Sequence, residues 1–170
     1  QPDLLHGTPL VVGNPDSTLP EAAKEATELH TKLLGRPEAA AETVPTLLIG
    51  SEATRATVFD ALRQANMAHL ACHSDGFKLC LSDKPLHVTD VQGLGNCSLT
   101  LAVLSACCSA RGEMNVADGV VGLQRAFLVA GCLSLVVSMF NVEDKATSKL
   151  MDVFYDRLFA GEDASQALRS

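Results

Sequence analysis

Apolar and polar positions along this chain alternate between two rhythms. Runs of consecutive apolar residues, many of them branched, recur within residues 10–12, 47–49, 67–72, 99–107 and 132–140. Between them, apolar residues return every three or four positions, the stripe of a half-buried helix. Thr8-Pro9-Leu10-Val11-Val12-Gly13-Asn14-Pro15 predicts a first strand closed by turn residues. Thr18-Leu19-Pro20-Glu21 reads as a capping box with Thr18 as N-cap. It opens a helix whose stripe is Ala22, Ala26, Leu29 and Leu33, ended by Gly35.

A polar loop over residues 36–43 leads to a second strand, Pro45-Thr46-Leu47-Leu48-Ile49-Gly50. Thr54 caps a second helix with Val58, Leu62 and Ala65 inward. Met67-Ala68-His69-Leu70-Ala71-Cys72-His73 is the next strand, followed by the turn-like Ser74-Asp75-Gly76. A small hairpin is expected over residues 79–86, and a helical turn opened by Thr89 and Asp90. Residues 99–107 form a buried strand that ends abruptly in small and polar residues. Asp118 caps a helix to about residue 130, apolar nearly all round and so packed between other elements. A strand over 132–140 and a helix over 143–160, with Ala146, Leu150, Val153, Phe154 and Leu158 inward, complete the order. Strands alternating with helices predict an α/β fold: an open, mostly parallel sheet with helices on both faces.

Composition narrows the function classes. Of 170 residues 47% are apolar, Trp is absent, and the net charge is −7 without any cluster of Lys or Arg. Nucleic acid and anionic membranes both demand such clusters, so neither is an expected partner. No apolar stretch is long enough to span a bilayer. Residue 1 is not Met, and residues 164–170 break off within a helical pattern, so the chain is expected to be a piece of a longer protein. Cys72, Cys80, Cys97, Cys107, Cys108 and Cys132 show no Cys-x-x-Cys spacing, and several sit in apolar runs. Reduced, mostly buried thiols and a cytoplasmic setting follow.

The chemistry gathers where two strands end. Cys107 and His73 each close an apolar run, at the carboxyl ends where open α/β sheets keep their ligand sites. If the strands are neighbours, a thiol and an imidazole face each other as nucleophile and base. Equally, the pair reads as a buried Cys and an ordinary surface His. His69 shares the strand face of His73, yet no further ligand stands at a metal spacing, and no metal or cofactor is expected. Gly13-Asn14-Pro15-Asp16-Ser17-Thr18 precedes a helix but lacks the phosphate-binding glycine patterns, and reads as a capping loop. His6, His30 and His87 read as surface residues without company.

A set of landmarks in order resembles the CHAT family, caspase-related domains commonly found downstream of tetratricopeptide repeats. They are Leu10-Val11-Val12-Gly13-Asn14-Pro15, Leu19-Pro20 with Glu21 and Glu25, His69-Leu70-Ala71-Cys72-His73, Leu81-Ser82-Asp83 and Val103-Leu104-Ser105-Ala106-Cys107. Two more follow, residues 119–131 and Ser138-Met139-Phe140-Asn141-Val142-Glu143-Asp144. The resemblance implies one caspase-like domain over residues 1–170, lacking the family's C-terminal end, with helical repeats upstream in the intact protein. It implies a cysteine endopeptidase acting on a protein or peptide, with His73 as base and Cys107 as nucleophile. The backbone N–H groups of Ser74 and Cys107 would form the oxyanion hole. A pocket selecting a basic residue would draw on Asp75, Asp118 or Asp144. Two departures stand out: Ser74 replaces the glycine that usually follows the histidine, and Cys108-Ser109-Ala110 replaces Glu-Thr-Gly after the cysteine. Losing both glycines removes backbone freedom where the hole is built. An interaction module that keeps the fold without the activity is therefore the alternative, and a reactive-cysteine sensor a third.

Overall fold

The apolar runs form the strands of one sheet. The computed structural model describes residues 7–36, 44–105, 116–138 and 144–169, and only the backbone course of 116–121 and 144–145. In chain order the elements are β1 (Thr8–Gly13), α1 (Pro20–Leu34), β2 (Thr46–Ile49), a 3-10 turn (Gly50–Glu52), α2 (Arg55–Gln64), β3 (Ala65–Ala71), β4 (Lys78–Leu79), β5 (Leu86–His87), α3 (Val88–Gln92), β6 (Leu101–Leu104), α4 (Val116–Val129), β7 (Ser134–Val137), α5 (Asp144–Phe159) and α6 (Ala164–Ala167). The sheet runs β2-β1-β3-β6-β7, every pairing parallel. β4 and β5 form a separate antiparallel hairpin. The expected α/β architecture is the one observed.

Strand alternation divides the interior into two cores. Leu10, Val12, Ala68, Leu70, Ala102 and Leu104 face one side, where Val58 and Leu62 of α2, Val91 of α3, and Leu123, Ala126 and Phe127 of α4 cover them. Val11, Met67, Leu101 and Val103 face the other, against Ala26, Leu29 and Leu33 of α1, Met151, Phe154, Tyr155 and Leu158 of α5, and Ala167 of α6. Period-two side chains on strands sealed on both faces are what a continuous apolar run encodes. Gly13 lets α1 lie close on β1: a Cβ there would stand 2.6 Å from the Ala26 Cβ and 2.8 Å from the Ala22 carbonyl oxygen.

Several expectations need correction. Thr18 does not cap α1. Leu19 holds the N-cap position with no side-chain capping bond, and Pro20 starts the helix, where a missing N–H costs nothing. Ala65 opens β3 rather than ending α2, because it pairs with Thr8 of β1. Asp118 lies inside the first turn of α4, not at its N-cap, since the helix already starts at Val116. The buried stripe of α5 is rotated: Met151, Phe154, Tyr155 and Leu158 face inward, while Ala146, Leu150 and Val153 are exposed. The larger side chains, two of them aromatic, bury more area and take the core face. α4 is not sheathed all round either, for Leu128 and Val129 at its end are exposed. His30 is half-buried and has company, its Nε2 lying 3.1 Å from the Pro45 carbonyl oxygen.

Candidate active site

Strand order reverses between β1 and β3: β2 lies on one side of this pair, β6 and β7 on the other. The chain leaves β1 toward α1 on one face and leaves β3 toward the β4–β5 hairpin on the other. Their carboxyl ends are therefore the topological switch point, the position where open α/β sheets receive ligands. His73 stands there, two residues past the end of β3.

Backbone and side chain anchor His73 separately. Its carbonyl accepts from the Cys80 N–H at 2.8 Å, and the Ala71 carbonyl accepts from the Asn14 N–H at 3.0 Å. Cys72, fully buried, pins the strand end into the core. The imidazole is partly exposed, and its Nε2 lies 3.0 Å from the Thr18 hydroxyl and 3.9 Å from Oδ2 of Asp16. Asp16 Oδ1 accepts from the Thr18 hydroxyl at 2.8 Å and from the Thr18 N–H at 3.2 Å. Thr18 is thus taken up by Asp16 and His73, which is why it is unavailable as a cap. Sequence reading missed both residues as site residues. The available signal was an Asp-x-Thr turn directly after the first strand, a pattern as common in plain capping loops.

The loop after His73 is ordered by its own side chains. Ser74 is buried and its hydroxyl accepts from the Gly76 N–H at 3.0 Å. Asp75 Oδ1 accepts from the Phe77 and Lys78 N–H groups at 3.0 and 3.1 Å, and Lys78 Nζ lies 3.3 Å from its Oδ2. That carboxylate is engaged in the turn. α4 holds the loop from outside, the Leu123 N–H donating to the Gly76 carbonyl at 3.0 Å. Gly122 allows this approach, since a Cβ there would meet the Gly76 oxygen and the Phe77 ring at 3.0 Å.

Cys107 and Cys108 lie outside the described residues. β6, the strand that leads toward them, is the parallel neighbour of β3, with His69 opposite Val103 and Leu70 opposite Leu104. Asp118 lies in the first turn of α4 and Asp144 is the first residue of α5. Neither side chain is described; among the described residues the structure brings together His73, Ser74, Asp75, Asp16 and Thr18, with Cys80 beside them.

His69 belongs to a different environment, under the sheet. Its Nδ1 lies 2.8 Å from the Tyr155 hydroxyl, and its Nε2 lies 2.8 Å from Glu25 Oε1 without the alignment of a hydrogen bond. Burial, then the Glu25 charge, pushes the Tyr155 hydroxyl well above its ordinary pKa, keeping it a neutral donor or acceptor. Among the described residues no group of three or more His, Cys, Asp or Glu side chains could hold a metal. No helix among them is long and apolar enough to cross a membrane.

The sequence pattern of the CHAT domain family matches residues 1–170. Tetratricopeptide repeat protein 28 of Mus musculus is 29% identical over 166 residues, covering 71% of this chain and 7% of that protein. Its Homo sapiens counterpart is 28% identical over the same length and shares. The chain thus spans about 7% of the length of these relatives.

Proposed function

Because the chain belongs to the CHAT domain family, we propose that it is a caspase-like cysteine endopeptidase in which His73 is the base and Cys107 the nucleophile. The observation that carries this reading is strand order. β3 and β6 are adjacent and parallel, and three positions beyond the Leu70–Leu104 pair in each stand His73 and Cys107. The switch point between β1 and β3 supports it further, because it is where an α/β sheet presents substrate-binding loops.

A free thiol, with a pKa of about 8.5, is mostly protonated at neutral pH, so in this mechanism Cys107 gives its proton to His73. The thiolate attacks the scissile carbonyl and forms an acyl-enzyme, and His73 returns the proton to the leaving amine. The N–H groups of Ser74 and Cys107 stabilise the oxyanion. No hydrogen bond among the described residues takes up the Ser74 N–H, which supports its assignment as a donor. The fixed Asp75 turn and the clamp of α4 on Gly76 replace the pre-shaped freedom that a glycine at position 74 would lend. The protein relatives' repeats make a longer, repeat-containing chain the setting in which a peptide or protein substrate is presented. Asp118 and Asp144 remain the carboxylates proposed to favour a basic residue before the scissile bond.

An irreversible electrophilic peptide probe tests the reading. Cys107 is expected to be modified, with mass mapping to that residue. Cys107→Ala abolishes labelling, whereas Cys108→Ala keeps most of it. Equal loss in both variants, or no faster reaction than a free thiol, overturns the assignment and favours the interaction module.

A further inference from the structure

The side chains around His73 go beyond a dyad, and we infer that Thr18, held by Asp16, is a positioning residue that fixes the tautomer of His73 with its proton on Nε2. This rests on the peptidase reading above for its kinetic consequence, but not for its geometry.

A threonine hydroxyl has one proton and two oxygen lone pairs. Two groups lie within reach of the Thr18 hydroxyl, the Asp16 carboxylate at 2.8 Å and the His73 Nε2 at 3.0 Å. A carboxylate can only accept, so the proton goes to Asp16. What faces His73 is then a lone pair, and Nε2 must bring the N–H. In the neutral ring the basic lone pair is thereby left on Nδ1, which under the peptidase reading takes the Cys107 proton. Once it does, the imidazolium formed stands 3.9 Å from Asp16 Oδ2, so the positive charge arises beside a negative one. The step balances: the S–H bond breaks, an Nδ1–H bond forms, and thiolate and imidazolium result.

The rest of the loop keeps Thr18 in place. Asn14 and Ser17 both adopt left-handed backbone, with φ of 49° and 62°. The Asn14 side chain accepts from the Leu19 N–H at 2.6 Å, the Ser17 N–H donates to the Asn14 carbonyl at 3.1 Å, and the Asn14 N–H is tied to β3 through Ala71. Residues that each spend local conformational energy on one turn point to a turn built for a purpose. Since Leu19 is the N-cap of α1, helix capping does not account for Thr18.

Long-range proton–nitrogen correlation spectra of the 15N-labelled chain, recorded where the imidazole is neutral, read the tautomer directly. Expected is a single species protonated at Nε2 whose ring proton exchanges slowly with water. Thr18→Val is expected to give mixed tautomers with rapid exchange, and about a tenfold slower acylation by the peptide probe. Thr18→Ser, which restores the hydroxyl, recovers most of both. Protonation at Nδ1 in the unsubstituted chain overturns the inference without any variant. So does a Thr18→Val chain whose tautomer, exchange and acylation rate are unchanged. A chain with the expected tautomer pattern and no acylation in its unsubstituted form retains the positioning and overturns the peptidase reading.

Discussion

His69 and His73 stand four residues apart, yet the fold gives them opposite tasks. His73 lies beyond the strand end, partly open to solvent and bonded to a loop. His69 is wholly buried and ties β3 to α1 through Glu25 and to α5 through Tyr155. A buried polar group left without its partner pays the full desolvation penalty. Tyr155→Phe removes the hydroxyl and strands His69 Nδ1, so a loss of about 1–3 kcal/mol in unfolding free energy is expected from denaturant melts. Probe reactivity at Cys107 should be nearly unaffected, because the substitution lies under the sheet. A loss of less than a few tenths of a kcal/mol would mean that His69 finds another partner.

At the scale of elements, the helices on the α2 side are joined by carboxylates at their N-termini. Arg55, the first residue of α2, donates its backbone N–H to Asp83 at 2.7 Å and its guanidinium to both oxygens of Asp90 at 2.6 and 3.1 Å. Asp90 also accepts from the His87 N–H at 2.9 Å, closing the first turn of α3. The Arg55 hydrogen bond holds the Asp90 carboxyl below its ordinary pKa, outweighing burial. A lowered folded pKa contributes stability above the unfolded carboxylate value, about 3.9, and loses it as pH falls through the folded value. Asp90→Asn is therefore expected to melt at a lower temperature at neutral pH. The gap to the unsubstituted chain closes on acidification below pH of about 4. A gap independent of pH would show that the charge contributes nothing. Lys32 makes a comparable link on the opposite face, its Nζ 2.6 Å from Asp152 and 2.5 Å from Asp156 of α5, joining α1 to α5.

For the whole molecule, burial in the core on the α2 side orders the described thiols by depth. Cys72 and Cys132 are buried, while Cys80 and Cys97 are half-exposed. Burial raises the Cys72 thiol far above its ordinary range and pushes Cys132 up to about 11, and it raises Cys80 as well. Alkylation needs both thiolate and access. In the native chain Cys80 and Cys97 should thus react before Cys72 and Cys132, with the order lost in denaturant. Early modification of Cys72 would contradict the packing of β3 against the hairpin.

Local pattern alone determined a good deal of this molecule. Branched apolar runs needed no partner to be legible as strands buried on both faces, and their alternation with helical stripes yields a parallel sheet. The end of the run at residue 73 was legible as lying at the carboxyl edge of the sheet, because strand ends are set by the chain itself. Tertiary structure decided what depends on a competitor far along the chain. Thr18 has the local makings of a cap but is taken up by His73, fifty-five positions away. The α5 stripe turned toward Met151, Phe154, Tyr155 and Leu158 because the sheet face opposite had room for aromatic side chains and a partner for the tyrosine hydroxyl. His69 and His73 share a strand face in the sequence. Only the end of β3, where one stays under α1 and α5 and the other lies past the strand, partly exposed, separates a buried tether from the proposed base.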